Sequence, residues 1–278
     1  AIRGENSRAI SLEGDVGGDV SVARINVSSP GGDGVVVDGE VGGGVRFTGS
    51  MTVTGYRLGE RVSELLTQQL EAEDVQNAGS AIIIAGSVSD GVFFSSNANI
   101  RFTSGGTGVE IAGDGGSTLT LGRTALPDDF LAGDGEGDED SARDELDHAV
   151  VNQGVIVSSG AIDGRDSLAF LIAGVDEAGQ TRAVVLEGDG FLNEGVISAA
   201  AHDAEAVGLR FGAGAQGDTV ANTGAIVARG SVGYAEDGFA DDDPNTDAVE
   251  GSNGQAGAVA LHLAEGSALR KLINEDGD

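Results

Sequence analysis

Short runs of alternating apolar residues, each closed by glycine, recur along the chain. The phrase reads Arg8-Ala9-Ile10-Ser11-Leu12-Glu13-Gly14, then Gly34-Val35-Val36-Val37-Asp38-Gly39, then Ala81-Ile82-Ile83-Ile84-Ala85-Gly86. It returns at Gly108–Gly113, Arg182–Gly188, Ala206–Gly212 and Ala258–Leu263. Apolar–polar alternation over such short lengths predicts β-strands rather than helices. The closing glycines pair off as Gly14 and Gly39, Gly86 and Gly113, and Gly188 and Gly212, each pair separated by about 25 residues, within the range of solenoid periods. The longer stretch from Gly113 to Gly188 reads as three more such periods. A recurrence of that length is the mark of a stacked repeat, in which no unit buries its apolar side alone and neighbouring units supply the core.

A second phrase follows the first. It is Asn152-Gln153-Gly154-Val155-Ile156, Asn193-Glu194-Gly195-Val196-Ile197 and Asn222-Thr223-Gly224-Ala225-Ile226, with a looser Asn77-Ala78-Gly79 and a final Leu272-Ile273-Asn274. Asn and Gly tolerate the left-handed backbone that a sharp corner demands. Asn side chains stacked from coil to coil can hydrogen-bond as a ladder. The isoleucine after the corner then points inward. The two phrases together predict an all-β chain, a right-handed parallel β-helix (solenoid) running over 1–278, with Ile156, Ile197 and Ile226 in register. A hairpin-built sandwich or barrel is the alternative, but it favours turn signals every 8–12 residues or so. With about 25 residues per coil and roughly 4.8 Å between strands, ten or so coils give a rod on the order of 50 Å long.

Three segments interrupt the repeat. Over 59–76, Val62, Leu65, Leu66 and Leu70 fall on one face of a helix, predicting a short helical insertion packed on the solenoid. Segments 127–147 and 235–254 are rich in Asp, Glu and Gly and read as two acidic loop insertions on the outside of coils.

Composition sharpens the picture. Forty-eight glycines against three prolines, without a triplet period, exclude collagen and Pro-rich linkers. Forty-six acidic residues against 15 basic ones give a formal charge of −31, which repels phosphate backbones and anionic membrane surfaces. Nucleic acid is therefore an unsuitable partner, and direct membrane insertion is not expected, because no apolar run approaches the roughly 20 residues of a span. The absence of cysteine removes disulfides, thiolate metal sites and Cys nucleophiles. Ala1-Ile2-Arg3-Gly4 is not a signal peptide, so an export signal is expected outside this stretch of sequence.

Acidic loops raise the question of calcium, which takes clustered oxygen ligands. Counting an EF-hand-like spacing from Asp134 brings in Glu136, Asp138 and Glu145, but Glu139 stands where the loop needs glycine. Counting from Asp241 brings in Asp243, Asn245 and Asp247, but Thr246 and Ser252 stand where glycine and glutamate belong. These eight residues are candidate ligands for a low-affinity calcium site, and no other cofactor is expected. Catalysis is not expected either. Asn245-Thr246-Asp247 matches a tripeptide of polygalacturonases, but no Gly-His-Gly follows it. The three histidines, His148, His202 and His262, share no motif, and a chain with no Trp and two Tyr lacks the aromatic platforms of sugar-processing clefts.

The paired phrases, above all Arg8–Gly14 followed by Asp15-Val16-Gly17-Gly18-Asp19-Val20 and the Asn-x-Gly-x-Ile corners, resemble autotransporter passenger domains of Gram-negative bacteria. The resemblance covers nearly the whole chain outside the insertions. It implies type V secretion, with further coils of a longer chain and a C-terminal translocator barrel as partners, and an extracellular location at the cell surface. It implies a structural or adhesive stalk, with host or surface glycans or proteins as targets. A carbohydrate-active β-helix (polysaccharide hydrolase or lyase) is the alternative of a different class.

Overall fold

The computed structural model describes residues 2–3, 5–55, 77–113, 117–125, 145–160, 164–174, 183–231 and 256–275. Every regular element among them is a strand. The helix expected over 59–76, the acidic segment 235–254 and all but 145–147 of the acidic segment 127–147 lie outside the described residues.

The strands form three parallel sheets that the chain visits in rotation. The first sheet holds Ile2–Arg3, Ile25–Ser28, Ser50–Thr54, Asn99–Thr103, Val155–Ser159, Val196–His202 and Ala225–Ser231. The second holds Arg8–Leu12, Asp33–Val37, Ile82–Ile84, Gly106–Ala112, Ser167–Ala173, Glu205–Phe211 and Gly257–Leu263. The third runs from Val20–Val22 through Val45–Phe47, Val92–Phe94, Val150–Asn152, Gly190–Asn193 and Ala215–Asn222 to Ala268–Asn274, with Leu119–Leu121 and Val184–Leu186 widening it on one side. Antiparallel contact among the described residues is confined to Thr124–Ala125 against Glu145–Leu146, at the root of the first acidic segment, and an isolated His148–Gly188 bridge.

Bare circuits keep the period read from the sequence. Arg8 pairs with Asp33, Ile82 with Val109 and Val196 with Ala225, each one such period further along the chain. Circuits that carry insertions are longer, and two of them are more than twice as long, as in the pairing of Gly106 with Ser167 and of Glu205 with Gly257. The stack therefore has seven layers in its first and second sheets, not ten. At about 4.8 Å per layer it spans roughly 30 Å. The stretch from Gly113 to Gly188 does not hold three coils. Val184–Leu186 belongs to the third sheet, paired with Leu119–Leu121, so the phrase at 182–188 copies the text of a second-sheet strand at a different place in the circuit.

Continuous columns of apolar side chains fill the space between the sheets. Ile25, Met51, Ile100, Ile156, Ile197 and Ile226 fall in one register column of the first sheet, so the three corner isoleucines align as predicted. Val20, Val45, Val92, Val150, Phe191, Val220 and Leu272 form a column in the third. A chain of phenyl rings runs through the core, from Phe47 stacked on Phe94 at 4.9 Å, through edge-on contacts of Phe94 with Phe170 and Phe170 with Phe191, to Phe211. Each such side chain, fully buried, is worth about 1.5–3 kcal/mol of hydrophobic stabilisation. Strand edges are satisfied layer by layer, because each circuit supplies the hydrogen-bond partners of the next.

Candidate functional site

The corner between the third and first sheets is built by the Asn-x-Gly phrase. Asn152 Nδ2 donates to Asn193 Oδ1 at 2.7 Å, Asn193 Nδ2 to Asn222 Oδ1 at 2.6 Å, and Asn222 Nδ2 to Asn274 Oδ1 at 2.7 Å. Asn152 and Asn193 are completely buried. The ladder follows from sequence, but the role of its glycines does not. Gly154, Gly195 and Gly224 do not adopt positive φ. A Cβ on Gly195 would stand 2.1 Å from Gly154 O, and one on Gly224 2.2 Å from Gly195 O. Glycine is required because the backbone of the adjacent circuit occupies the side-chain position. Gly39 and Gly86 stack for the same reason, over Gly14 O and Gly39 O.

A second column of small residues runs through the second sheet: Ala9, Gly34, Ala81, Gly108, Ala169, Gly208 and Ala260 in consecutive layers. Alanine and glycine alternate without exception. A Cβ on Gly34 would lie 2.2 Å from Ala81 O, and one on Gly208 2.6 Å from Ala260 O. Sequence reasoning passes over this column because its neighbours in space are separated by unequal insertions. Aligning the strands across those insertions is the signal that finds it.

Of the eight calcium candidates, Asp134, Glu136, Asp138, Asp241, Asp243, Asn245 and Asp247 lie outside the described residues. The backbone of Glu145 is described: it opens the strand paired with Thr124–Ala125, so the end of the 127–147 segment is a strand rather than a loop. Among the described residues no group of three or more His, Asp or Glu is placed to hold a metal ion. The root of the first acidic segment is anchored instead by Arg46, a buried arginine. Its Nη1 lies 2.6 Å from Asp19 Oδ2 and its Nη2 donates to Ala125 O at 2.9 Å.

A shallow depression of about 840 Å³ opens beside this root, on the outside of the third sheet. Arg123, Glu187, Gln216, Asp218, Ser267 and Arg270 line it. Gly188 and Gly217 leave its floor without side chains at two points. The hydrogen-bonded Arg270 guanidinium, at 2.5 Å, holds the Asp218 carboxyl below the usual carboxylate range. Asp218 is thus a poor proton donor. Arg123 reaches Asp147 at 3.4 Å with both side chains largely exposed. The depression contains no aromatic residue.

Other titratable groups are dispersed. Burial raises the Glu110 carboxyl, with Ser80 Oγ donating to it at 3.2 Å and Asp33 adding repulsion, but Glu110 belongs to the second sheet. Burial pushes the His148 imidazole down, against the pull of Asp189, Asp147 and Glu194. His202 is hydrogen-bonded to Ser231 in the first sheet, and His262 accepts from Arg210 Nε at 3.0 Å in the second. The histidines, unlike in sequence context, sit in three separate places. The chain matches no known protein family, no curated protein and no solved structure.

Proposed function

We propose that the chain is a length of right-handed parallel β-helix serving as a non-catalytic stalk at the surface of a Gram-negative bacterium, of the autotransporter passenger type, with a structural or adhesive role. The observation that carries this reading is the internal continuity of the stack: apolar columns and an asparagine ladder run from circuit to circuit, which favours length and stiffness. The acidic exterior suits a solvated rod. Its partners are further coils of a longer chain, a C-terminal translocator barrel, and glycans or proteins met at the surface. Calcium is at most a weakly held ligand of the acidic segments, and no resident cofactor is needed. Expression of the whole parent reading frame in a Gram-negative host, followed by protease shaving of intact cells, tests the location. Cleavage from outside is the expected result, and complete protection in lysis-controlled cells would remove the surface reading.

The depression around Asp218 is the specific observation behind a carbohydrate-active alternative, because it runs across several circuits and carries two carboxylates. Glycoside hydrolysis needs a carboxylic acid with a raised pKa as proton donor, and Asp218 is shifted the other way. Release of reducing ends or unsaturated products from polygalacturonate, xylan or β-glucan, lost in an Asp218→Asn or Glu187→Gln variant, would establish the enzyme instead.

A further inference from the structure

The three sheets differ in charge. The seven strands of the first sheet contain no Asp or Glu, although the chain has 46 acidic residues. Strands of the second sheet carry Asp33, Glu110 and Glu205, and a strand of the third carries Asp218. The described carboxylates nearest in sequence to the first sheet, Glu194 and Asp203, stand in the corners beyond its strand ends.

Three successive layers of this sheet, Asn99–Thr103, Val155–Ser159 and Val196–His202, are each paired on both sides. Strict alternation separates their two faces. Ile100, Phe102, Ile156, Ile197 and Ala199 belong to the core, so the residues between them point outward. Apart from Arg101 and the terminal His202, those outward side chains are Asn, Ser, Thr, Ala or Val, and the face is flat. Val155, Val157, Val196 and, in the next layer, Val227 make an apolar patch on it, half-buried and outside the core. Arg101 is drawn along its own strand, where its Nε donates to Asn99 Oδ1 at 3.2 Å.

We propose that this face is an interface between two copies of the chain, packed sheet to sheet about a two-fold axis that runs along the stack. With both stacks pointing the same way, each layer meets its counterpart, Val157 facing Val157 and Ser198 facing Ser198. Short side chains let the two sheets approach to about 10 Å, the ordinary spacing of packed sheets. Charge selects the face. Each copy carries a formal −31, so contact through the second or third sheet sets carboxylates against carboxylates, and contact through the first does not. Size sets the strength. A face about 30 Å tall and about 16 Å wide buries roughly 1,000 Å² over the pair, where a specific contact begins to part from a chance one. The pair is therefore weak, and net repulsion opposes it until salt screens the charge. Pairing of this kind requires the stack but not the surface role proposed above.

The whole chain is tested by sedimentation velocity and by cross-linking of single introduced cysteines, which are unique because the chain has none of its own. A monomer–dimer equilibrium is expected, about tenfold tighter in about 1 M salt than in about 0.1 M, as the screening length falls from about 10 Å to about 3 Å. Val157→Glu combined with Ser198→Glu should keep the circular dichroism spectrum and leave only monomer. Ser198→Cys should give a cross-linked dimer with a short bismaleimide, and Ser11→Cys, exposed on the outside of the second sheet, should not. Monomer throughout, at millimolar protein and high salt, would overturn the proposal. So would association unchanged by the two glutamates, growth past the dimer into open-ended filaments, or equal cross-linking through Ser11→Cys.

Discussion

Asn193 is the middle of the ladder, and nothing in its side chain is spare. Its Oδ1 accepts from Asn152 while its Nδ2 serves Asn222 and the carbonyls of Gly195 and Ala225. Replacement by valine keeps the volume near constant and leaves the buried Asn152 amide without its acceptor. Each buried group so orphaned costs about 1–3 kcal/mol, so Asn193→Val is expected to destabilise by about 2–4 kcal/mol in chemical denaturation; a loss below about 0.5 kcal/mol would mean the ladder is ornamental. The ladder was legible in the sequence because asparagine before a glycine corner is distinctive by chemistry alone. The glycines were visible too, but for the wrong reason. Positive φ is a local property, and sequence suggests it wherever glycine meets asparagine. The contact that excludes a Cβ at Gly195 comes from Gly154, a whole circuit earlier, and nothing local announces it.

Strands were readable as elements, their places in the circuit less so. Val184–Leu186 and Asp33–Val37 share the same alternating text because both sheets ask for the same thing, an apolar inner face with a small residue at the corner. Only pairing tells them apart. The root of the first acidic segment is a further element that sequence missed, since Thr124–Ala125 and Glu145–Leu146 make an antiparallel ladder too short to show periodicity. This root gives a pH signature. His148 is held below its ordinary value of 6.5 by burial, so the folded chain keeps it neutral where the unfolded chain has begun to take up a proton. Its contribution is complete above pH 6.5 and declines as pH falls toward the lower folded value. Glu110 works the other way: raised above 4.5 by burial, it is penalised as pH climbs through its folded value, and is harmless below 4.5. His148→Gln should therefore flatten the acid side of a stability–pH curve just below 6.5, and Glu110→Gln should raise stability at neutral pH. Thermal unfolding across pH 4–8 reads both, and a His148→Gln curve parallel to that of the parent chain would remove the first assignment.

At the scale of the molecule, a charge of −31 and a continuous core pull in different directions. Self-repulsion keeps such a body apart from its copies and is relieved by salt, while the apolar columns are insensitive to it. Calcium should act on the charge alone. Calorimetry is expected to detect only weak binding, removed when Asp134, Glu136, Asp138, Asp241, Asp243 and Asp247 are changed to their uncharged amides. Tight stoichiometric binding, or refolding of the whole stack on adding calcium, would place a structural metal site in the acidic segments. The parallel repeat was legible from the regular recurrence of the glycine-closed phrase, whereas the number of layers was not, because residues spent in insertions look like residues spent in coils until the strands are paired.

The alternation of alanine and glycine along the second sheet gives the stack a parity. Its true unit is two circuits, since a glycine layer must lie next to an alanine layer whose carbonyl fills the missing Cβ. Lengthening or shortening the interior by an even number of circuits preserves that order; an odd change sets alanine against alanine or glycine against glycine. Deleting 198–226, a single circuit, joins the layer of Ala169 to that of Ala260. Deleting 157–226, a pair of circuits, brings Gly108 to Ala260 and keeps the alternation, with Asn152 meeting Asn274 in the ladder. The smaller deletion is expected to melt at the lower temperature, against the ordinary rule that removing more of a core costs more stability. A chain assembled by duplication under this constraint grows in pairs.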